Sequence, residues 1–233
     1  MILAANEPYF LPYLGYWQMI AASDLFLVGD DFTYQPRKWA NRNLIVVNRR
    51  PFWFRVDVKG ASSFRYINEI ELCPVNSRYL LRVLEMAYRR APFFADGYAL
   101  AQRILAFDEG GMLYPFLENS IREVCRYLSI GTPFGRTSDY PGNSSLHREK
   151  RIFDLCERSG ADVYLNLPGG QALYRYDDFR RHGIDLRFID PHLEPYPQFT
   201  DEFIPRMSIL DAIMFNSREQ LHDMLAGYSV IHG

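Results

Sequence analysis

The sequence predicts an α/β fold: a mainly parallel, Rossmann-like sheet with helices on both faces and a helical insertion in the middle. Short apolar runs that suit buried strands alternate with helical stretches in the first and last thirds of the chain, as in βαβ units. Between them, apolar residues recur at helical spacing. The 233 residues are 48% hydrophobic and 23% charged, which suits one domain with a sizeable core. We therefore expect a single domain over residues 1–233, with a helical subdomain at about 77–129.

The first βαβ unit is predicted in residues 2–28. Residues 2–5 suit a short buried strand, residues 14–22 a helix, and residues 25–28 a second buried strand. This span is close to the length of a βαβ unit, so we expect a right-handed crossover between two parallel strands.

The middle of the chain is predicted to be strands followed by helices. Residues 44–47, 52–58 and 67–72 suit strands, the second of them half exposed because apolar and polar residues alternate. Two apolar stripes at helical spacing follow, and Pro92 ends the first helix. The stripes are Leu80, Val83, Leu84 and Ala87, and then Leu113, Leu117, Ile121, Val124 and Leu128.

In the last third, strands and helices alternate again. We expect strands at 132–138, 162–166 and 184–188, and helices at 144–158 and 177–182. Ser208 and Asp211 fit an N-cap with an acidic third residue, so a helix is expected to begin there. The Pro-rich segment 190–207 has no periodicity, and two interpretations stay open: a lid over a site, or a fixed surface connection.

Three polar-aromatic loops follow predicted strands: NEPYFLPYLGYW (6–17), GDDFTY (29–34) and TSDY (137–140). In parallel sheets, ligands bind at the carboxyl ends of the strands. The prolines would stiffen such a wall, and the aromatic rings would give it surface at low entropic cost. The alternative is that these aromatic residues cap the core.

Several side chains in these loops are candidates for chemistry. A carboxylate such as Asp31 can act as a general base, while amides and a guanidinium can recognise a sugar, a carboxylate or a phosphate. The alternative for the second group is turn-forming asparagines with a surface arginine. The catalytic candidates are Asp31, Asn41, Arg42 and Asn43, and the substrate-binding candidates are Glu7, Tyr9, Tyr13, Tyr16, Asp30, Trp39, Ser138 and Asp139.

Composition argues against several functional classes. A net charge of −2 offers no basic field for nucleic acid, and no apolar run reaches the roughly 20 residues of a membrane span. The N-terminus lacks a secretion signal, so a cytoplasmic protein is expected. Three distant cysteines and scattered histidines predict no metal site. NLPGGQALY (166–174) matches no phosphate-binding motif, so no particular cofactor is indicated.

Six segments, in order over nearly the whole chain, resemble the WbqC-like family. They are EPYFLPYLGYW (7–17), SDLFLVGDD (23–31), WANRN (39–43), AYRRAPFF (87–94), KRIFDLCERSGADVYLNLPGG (150–170) and FIPRMSILDAIMFN (203–216). One departure is Glu7, where the family usually has glutamine. The resemblance implies a role in surface-polysaccharide (O-antigen) biosynthesis and the transfer of glycine onto a sugar.

The order of the first elements is also similar to that of HUP-type nucleotidyltransferases. Those enzymes hold phosphates with H-x-G-H, whereas the corresponding residues 13–16 here read Tyr-Leu-Gly-Tyr. The leading hypothesis is therefore a cytoplasmic transferase that passes an aminoacyl group to an amino sugar, with a sugar nucleotide and an activated amino acid as small-molecule partners. The alternatives are a non-catalytic binding module for a polysaccharide precursor, and a nucleotidyltransferase.

Overall fold

The computed structural model describes residues 1–107 and 111–232 and is an α/β structure. The strands, in chain order, are β1 (Ile2–Asn6), β2 (Leu25–Val28), β3 (Arg42–Val47), β4 (Arg50–Arg55), β5 (Val58–Lys59), β6 (Glu71–Leu72), β7 (Phe134–Arg136), β8 (Val163–Asn166), β9 (Asp185–Pro191) and β10 (Tyr228–His232). The helices are α1 (Leu14–Ala21), α2 (Ser77–Tyr88), α3 (Phe94–Leu105), α4 (Leu113–Tyr127), α5 (Glu149–Ser159), α6 (Tyr176–Arg181), α7 (Ile209–Phe215) and α8 (Arg218–Ala226).

The central sheet has the strand order β10-β9-β8-β1-β2-β7. All neighbours are parallel except β10, which runs antiparallel to β9. The predicted first βαβ unit is confirmed, since β1 and β2 are adjacent and parallel. Along the sheet, the parallel strands follow the order third, second, first, fourth, fifth. The order reverses between β1 and β8, which is where ligands bind in doubly wound sheets.

Both faces of the sheet are covered, as expected for buried parallel strands. Successive side chains of β1 point to opposite faces. Leu3 and Ala5 pack with apolar residues of α5 and α6, whereas Ala4 joins the larger core that contains α1, α4 and α7. The residues of the apolar stripes of the helical insertion pack in that larger core. Helix α3 packs against α2, α4 and α7. The division into a domain with a helical subdomain stays a prediction.

Several predicted boundaries were wrong, and local backbone geometry explains them. The strand expected at 132–138 is only Phe134–Arg136, because residues 137–139 turn into a 3-10 helix. The stretch 52–58 is broken between β4 and β5, and residues 67–69 form a 3-10 turn before β6. The helix expected from residue 144 begins at Glu149, because Arg148 has φ of 52°, which no α-helix accommodates. Strand β10 and the helices α3 and α8 were missed.

The segment between β9 and α7 is held to the core by a buried carboxylate. Asp211, which is fully buried, accepts hydrogen bonds from the Tyr88 hydroxyl (2.7 Å), the Tyr196 hydroxyl (2.8 Å) and Gln198 Nε2 (2.6 Å). Gln198 also accepts from the backbone N–H of Ile204 at 2.8 Å. Burial raises the pKa of Asp211, and these donors oppose the rise. The N-cap predicted at Ser208 is confirmed, since its hydroxyl accepts from the Leu210 N–H.

No helix in the described ranges has both the length and the apolar character that a membrane crossing requires.

Candidate functional site

A cavity of about 940 Å³ lies at the carboxyl ends of β1 and β8, where the strand order reverses. Its size falls within the usual range of small-molecule sites. The loop after β1 forms one wall and the Leu167–Gly170 turn after β8 forms another. The end of β9, residues 205–207 and the start of β3 complete it.

The loop after β1 is rigid because hydrogen bonds attach it on two sides. Trp17 Nε1 donates to the Pro12 carbonyl at 3.0 Å, and the Tyr16 hydroxyl donates to the Glu7 carbonyl at 3.2 Å. From β3, Asn43 Nδ2 donates to the carbonyls of Phe10 and Leu11 at 3.1 and 2.7 Å. The loop therefore has a fixed shape before any ligand arrives.

Gly15, at the start of α1, allows one corner of the cavity to close. A Cβ atom at this position would lie 2.7 Å from the Tyr13 ring and hydroxyl and from Pro191 Cγ. Because Gly15 has no side chain, the phenol of Tyr13 and the end of β9 can both pack against its backbone. Burial raises the pKa of Tyr13, and the nearby Arg206 opposes this rise, so the phenol is a neutral hydrogen-bonding group.

The charged side chains that line the cavity are Glu7, Asp190 and Arg206. Burial raises the pKa of the Glu7 carboxyl, and Lys38 partly opposes this effect. Within the described ranges, no hydrogen bond or ion pair reaches the Glu7 side chain. Asn166, at the end of β8, accepts from the Leu167 N–H at 2.7 Å, and its amide packs against Gly170, where a Cβ would lie 2.7 Å from Nδ2.

The two aspartates after β2 lie outside the cavity wall and form a closed polar cluster. Asp31, which is buried, is paired with Arg151 Nη2 at 2.7 Å and accepts from the Thr137 hydroxyl. Asp30 accepts from the Ser138 N–H (3.1 Å) and the Ser138 hydroxyl (2.7 Å), and at 3.2 Å from an amide of the 3-10 turn before β6. The roles predicted for these two carboxylates stay predictions.

Some of the other candidate residues make structural hydrogen bonds, and others line the cavity. Asn41 is used structurally, since it accepts from the Tyr34 hydroxyl (3.2 Å) and donates to the Val56 carbonyl (2.7 Å). Asp139 accepts from the Arg136 N–H at 2.9 Å and closes the 3-10 turn. The cavity wall contains Glu7, Tyr9, Tyr13, Trp39 and Asn43, but not Tyr16, Asp30, Asp31, Asn41, Arg42, Ser138 or Asp139.

The sequence interpretation missed Asn166, Tyr174, Asp190 and Arg206, which line the cavity. A signal was present for the first of them, because Asn166 ends a predicted strand and is followed by the Pro-Gly-Gly turn. Arg206 lies in the Pro-rich segment, far along the chain from β1, and no local pattern connects the two.

Among residues 1–107 and 111–232, no group of three or more histidine, cysteine, aspartate or glutamate side chains is arranged to hold a metal ion.

Comparison with known proteins identifies relatives but no characterised activity. The sequence model of the WbqC-like protein family matches residues 7–223. The chain is 27% identical over 226 residues to "Uncharacterized protein Rv1507c" of Mycobacterium tuberculosis (strain ATCC 25618 / H37Rv), an alignment that covers 96% of each chain. No solved structure matches the chain.

Proposed function

This chain belongs to the WbqC-like protein family, and we propose that it is a cytoplasmic transferase that passes glycine or another aminoacyl group to an amino sugar in surface-polysaccharide or related metabolite biosynthesis. The observation that carries this proposal is the cavity between β1 and β8, in which two acids and one arginine stand among aromatic rings. Fold alone would not support a reaction.

The charges of the cavity match the proposed substrates. Glu7 and Asp190 suit an ammonium group, as found on an amino sugar or an amino acid, and Arg206 suits a phosphate or a carboxylate. Tyr13 and Trp39 give flat apolar surface for the C–H face of a sugar ring. A triphosphate suits the cavity less well, because it would meet two carboxyl groups of its own sign.

Aminoacyl transfer to an amine has two chemical requirements. The attacking amine must lose a proton to a base, and the oxyanion that develops on the acyl carbon needs hydrogen-bond donors. Collapse of this oxyanion breaks the bond to the group that activates the amino acid, and this group leaves with the proton. Asn166 Nδ2 and the Tyr13 hydroxyl are donors at the cavity wall. Asp31, the base that the sequence indicated, lies outside the cavity wall and is paired with Arg151. Within the cavity, the base that we propose is Asp190, and Glu7 contributes the polar contact that binds the amine.

A non-catalytic binding module is the second candidate. It is favoured by the polar cluster around Asp31, where Oδ1 already accepts from Arg151 and Thr137. The carboxylate that the sequence put forward as the base is thus joined to neighbouring elements outside the cavity wall.

A two-step experiment separates these candidates. Thermal shift with nucleotide-activated amino sugars, amino acids, ATP and coenzyme A identifies ligands, and mass spectrometry of paired ligands then detects products. An aminoacylated sugar supports the transferase. A ligand that stabilises the protein but never reacts supports the binding module, and pyrophosphate release from ATP and Mg²⁺ supports the nucleotidyltransferase.

A steric block tests whether the cavity is the site. Gly169 lines the cavity and a Cβ there meets no atom within 4 Å, so Gly169→Phe should fill space without disturbing the fold. Gly131→Phe is the matched control, because Gly131 is equally unhindered but lies outside the cavity wall. We expect ligand stabilisation to be lost only in Gly169→Phe. Equal binding by both variants would place the site elsewhere.

The base is tested with Asp190→Asn. We expect turnover to fall by at least about a hundredfold, in line with general base catalysis, at a temperature where the variant is shown by circular dichroism to be folded. Undiminished turnover by the folded variant would remove Asp190 from the mechanism. Asp31→Asn tests the base that the sequence indicated, and a loss of turnover in that folded variant alone would return the role to Asp31.

A further inference from the structure

A second groove, of about 550 Å³, lies between the β3–β4 hairpin and the first turn of α2. Its lining includes Trp53, which is 44% exposed, and Tyr79, which is 53% exposed. Large aromatic side chains exposed together on one surface are uncommon outside binding sites. The cavity between β1 and β8 does not include either residue.

Two contacts hold the side chain of Arg42 in this groove. Its guanidinium lies 4.3 Å from the centre of the Trp53 ring, and its Nε donates to the Lys38 carbonyl at 2.9 Å. Across residues 1–107 and 111–232, its two terminal nitrogens make no hydrogen bond or ion pair. A stacked guanidinium with an unoccupied fork is pre-organised to bind a carboxylate or a phosphate with two hydrogen bonds.

Other polar groups surround this fork. Arg55 is exposed and makes a long, 3.5 Å ion pair with Asp57. Asn76 uses its Oδ1 to accept from the Tyr79 N–H, which leaves the Nδ2 group as a donor. Aromatic faces beside amide donors and a carboxylate suit the alternating C–H and hydroxyl groups of a sugar ring.

We propose that this groove is a second ligand site, which binds a saccharide carrying a phosphate or a carboxylate, with Arg42 on the anionic group and Trp53 and Tyr79 along the sugar. The two sites are neighbours: Trp39, which lines the cavity, contacts Trp53 with ring centres 5.6 Å apart. The proposal does not depend on the reaction assigned to the cavity.

Binding at the groove should change tryptophan fluorescence. Trp17 is fully buried, so tryptophan fluorescence should respond mainly through Trp39 and Trp53. Titrations with glucose 1-phosphate, glucuronic acid, glucose and inorganic phosphate show whether binding needs the sugar, the anionic group or both. They also show whether a phosphate or a carboxylate is preferred. We expect saturable binding of a sugar that carries an anionic group, and weaker binding of both glucose and inorganic phosphate.

Variants assign the signal to the groove. Arg42→Met should weaken binding by at least about tenfold, since a hydrogen bond to a charged group is worth more than 1.4 kcal/mol. Arg50→Met on the same hairpin is the matched control, and Tyr79→Ala, on the surface of α2, is a second test with little risk to folding. Gly169→Phe should leave this binding unchanged.

Three results would overturn the proposal. One is unchanged affinity in both Arg42→Met and Tyr79→Ala. Another is equal affinity for inorganic phosphate and the sugar phosphate, which would leave an anion site without saccharide recognition. The third is tighter binding of a short single-stranded oligonucleotide than of any saccharide.

Discussion

Two acidic regions lie at the carboxyl edge of the sheet, and they differ in how their carboxyl groups are satisfied. The acidic junction consists of Asp30, Asp31, Thr137, Ser138 and Arg151, at the ends of β2 and β7 and the start of α5. Each of its carboxylates accepts several hydrogen bonds from these neighbours. In the cavity, by contrast, the described structure provides no hydrogen bond to the Glu7 carboxyl, whose pKa is raised by burial.

An acidic side chain placed after a parallel strand therefore has two possible uses. When a guanidinium and a hydroxyl from neighbouring elements reach it, as at Oδ1 of Asp31, the carboxylate joins these elements together. When no such partner reaches it, as at Glu7, the group keeps its hydrogen-bonding capacity for a ligand. Which of these two uses an acid has depends on the strand it follows, because the strand determines which side chains are its neighbours.

The largest expected effect comes from breaking the acidic junction. Arg151→Met leaves a buried carboxylate without its cation, because the two side chains of this pair are only 14% and 9% exposed. We expect the free energy of unfolding to fall by about 3–5 kcal/mol, measured by urea denaturation. Arg180→Met, which removes an exposed 3.4 Å ion pair with Asp177, should cost less than about 1 kcal/mol. Equal losses would mean that the junction is no stronger than a surface pair.

A smaller effect is expected in the segment between β9 and α7. Gln198→Ala removes a donor from the buried Asp211 carboxylate and an acceptor from the Ile204 N–H, so it should cost about 1–3 kcal/mol. Hydrogen exchange should be slow in residues 196–204 of the wild-type protein and faster in the variant. Gln35→Ala, at an exposed loop position, serves as control. Fast exchange in the wild-type segment that slows when ligand binds would instead support the lid.

The smallest effect concerns the pH dependence of binding at Glu7. Because the pKa of Glu7 is raised, the free carboxyl keeps its proton at pH values where an ordinary glutamate has lost it. An amino sugar that binds as its ammonium form should therefore bind more tightly as pH rises through this pKa and level off above it. Glu7→Gln should flatten the profile and weaken binding on the order of tenfold above the pKa. Calorimetry between about pH 4 and 8 measures this.

Glu157→Gln, on the exposed surface of α5, is the control for this experiment. A profile that Glu7→Gln leaves unchanged would show that a group other than Glu7 controls the pH dependence.

Much of the fold could be predicted because its signals are local. The apolar runs of β1 and β2, the helical stripe of α4 and the Ser208 cap each depend on residues within a few positions of one another. Strand β10 could not be found in this way, since its residues are mostly half or fully exposed. Its regularity comes from pairing with β9, which ends more than thirty residues earlier in the chain.

The sequence by itself determined most of the helices and strands, the α/β class and the placing of polar-aromatic loops after strands, because periodicity, proline and turn chemistry act over short distances. Only the tertiary structure decided which loops meet. Strand pairing places β1 beside β8, and so brings Glu7 to the same cavity as Asn166 and Arg206. The ion pair with Arg151 likewise turns Asp31 from a free acid into part of a junction. Such neighbours are set by long-range packing, in which residues over a hundred positions apart become adjacent.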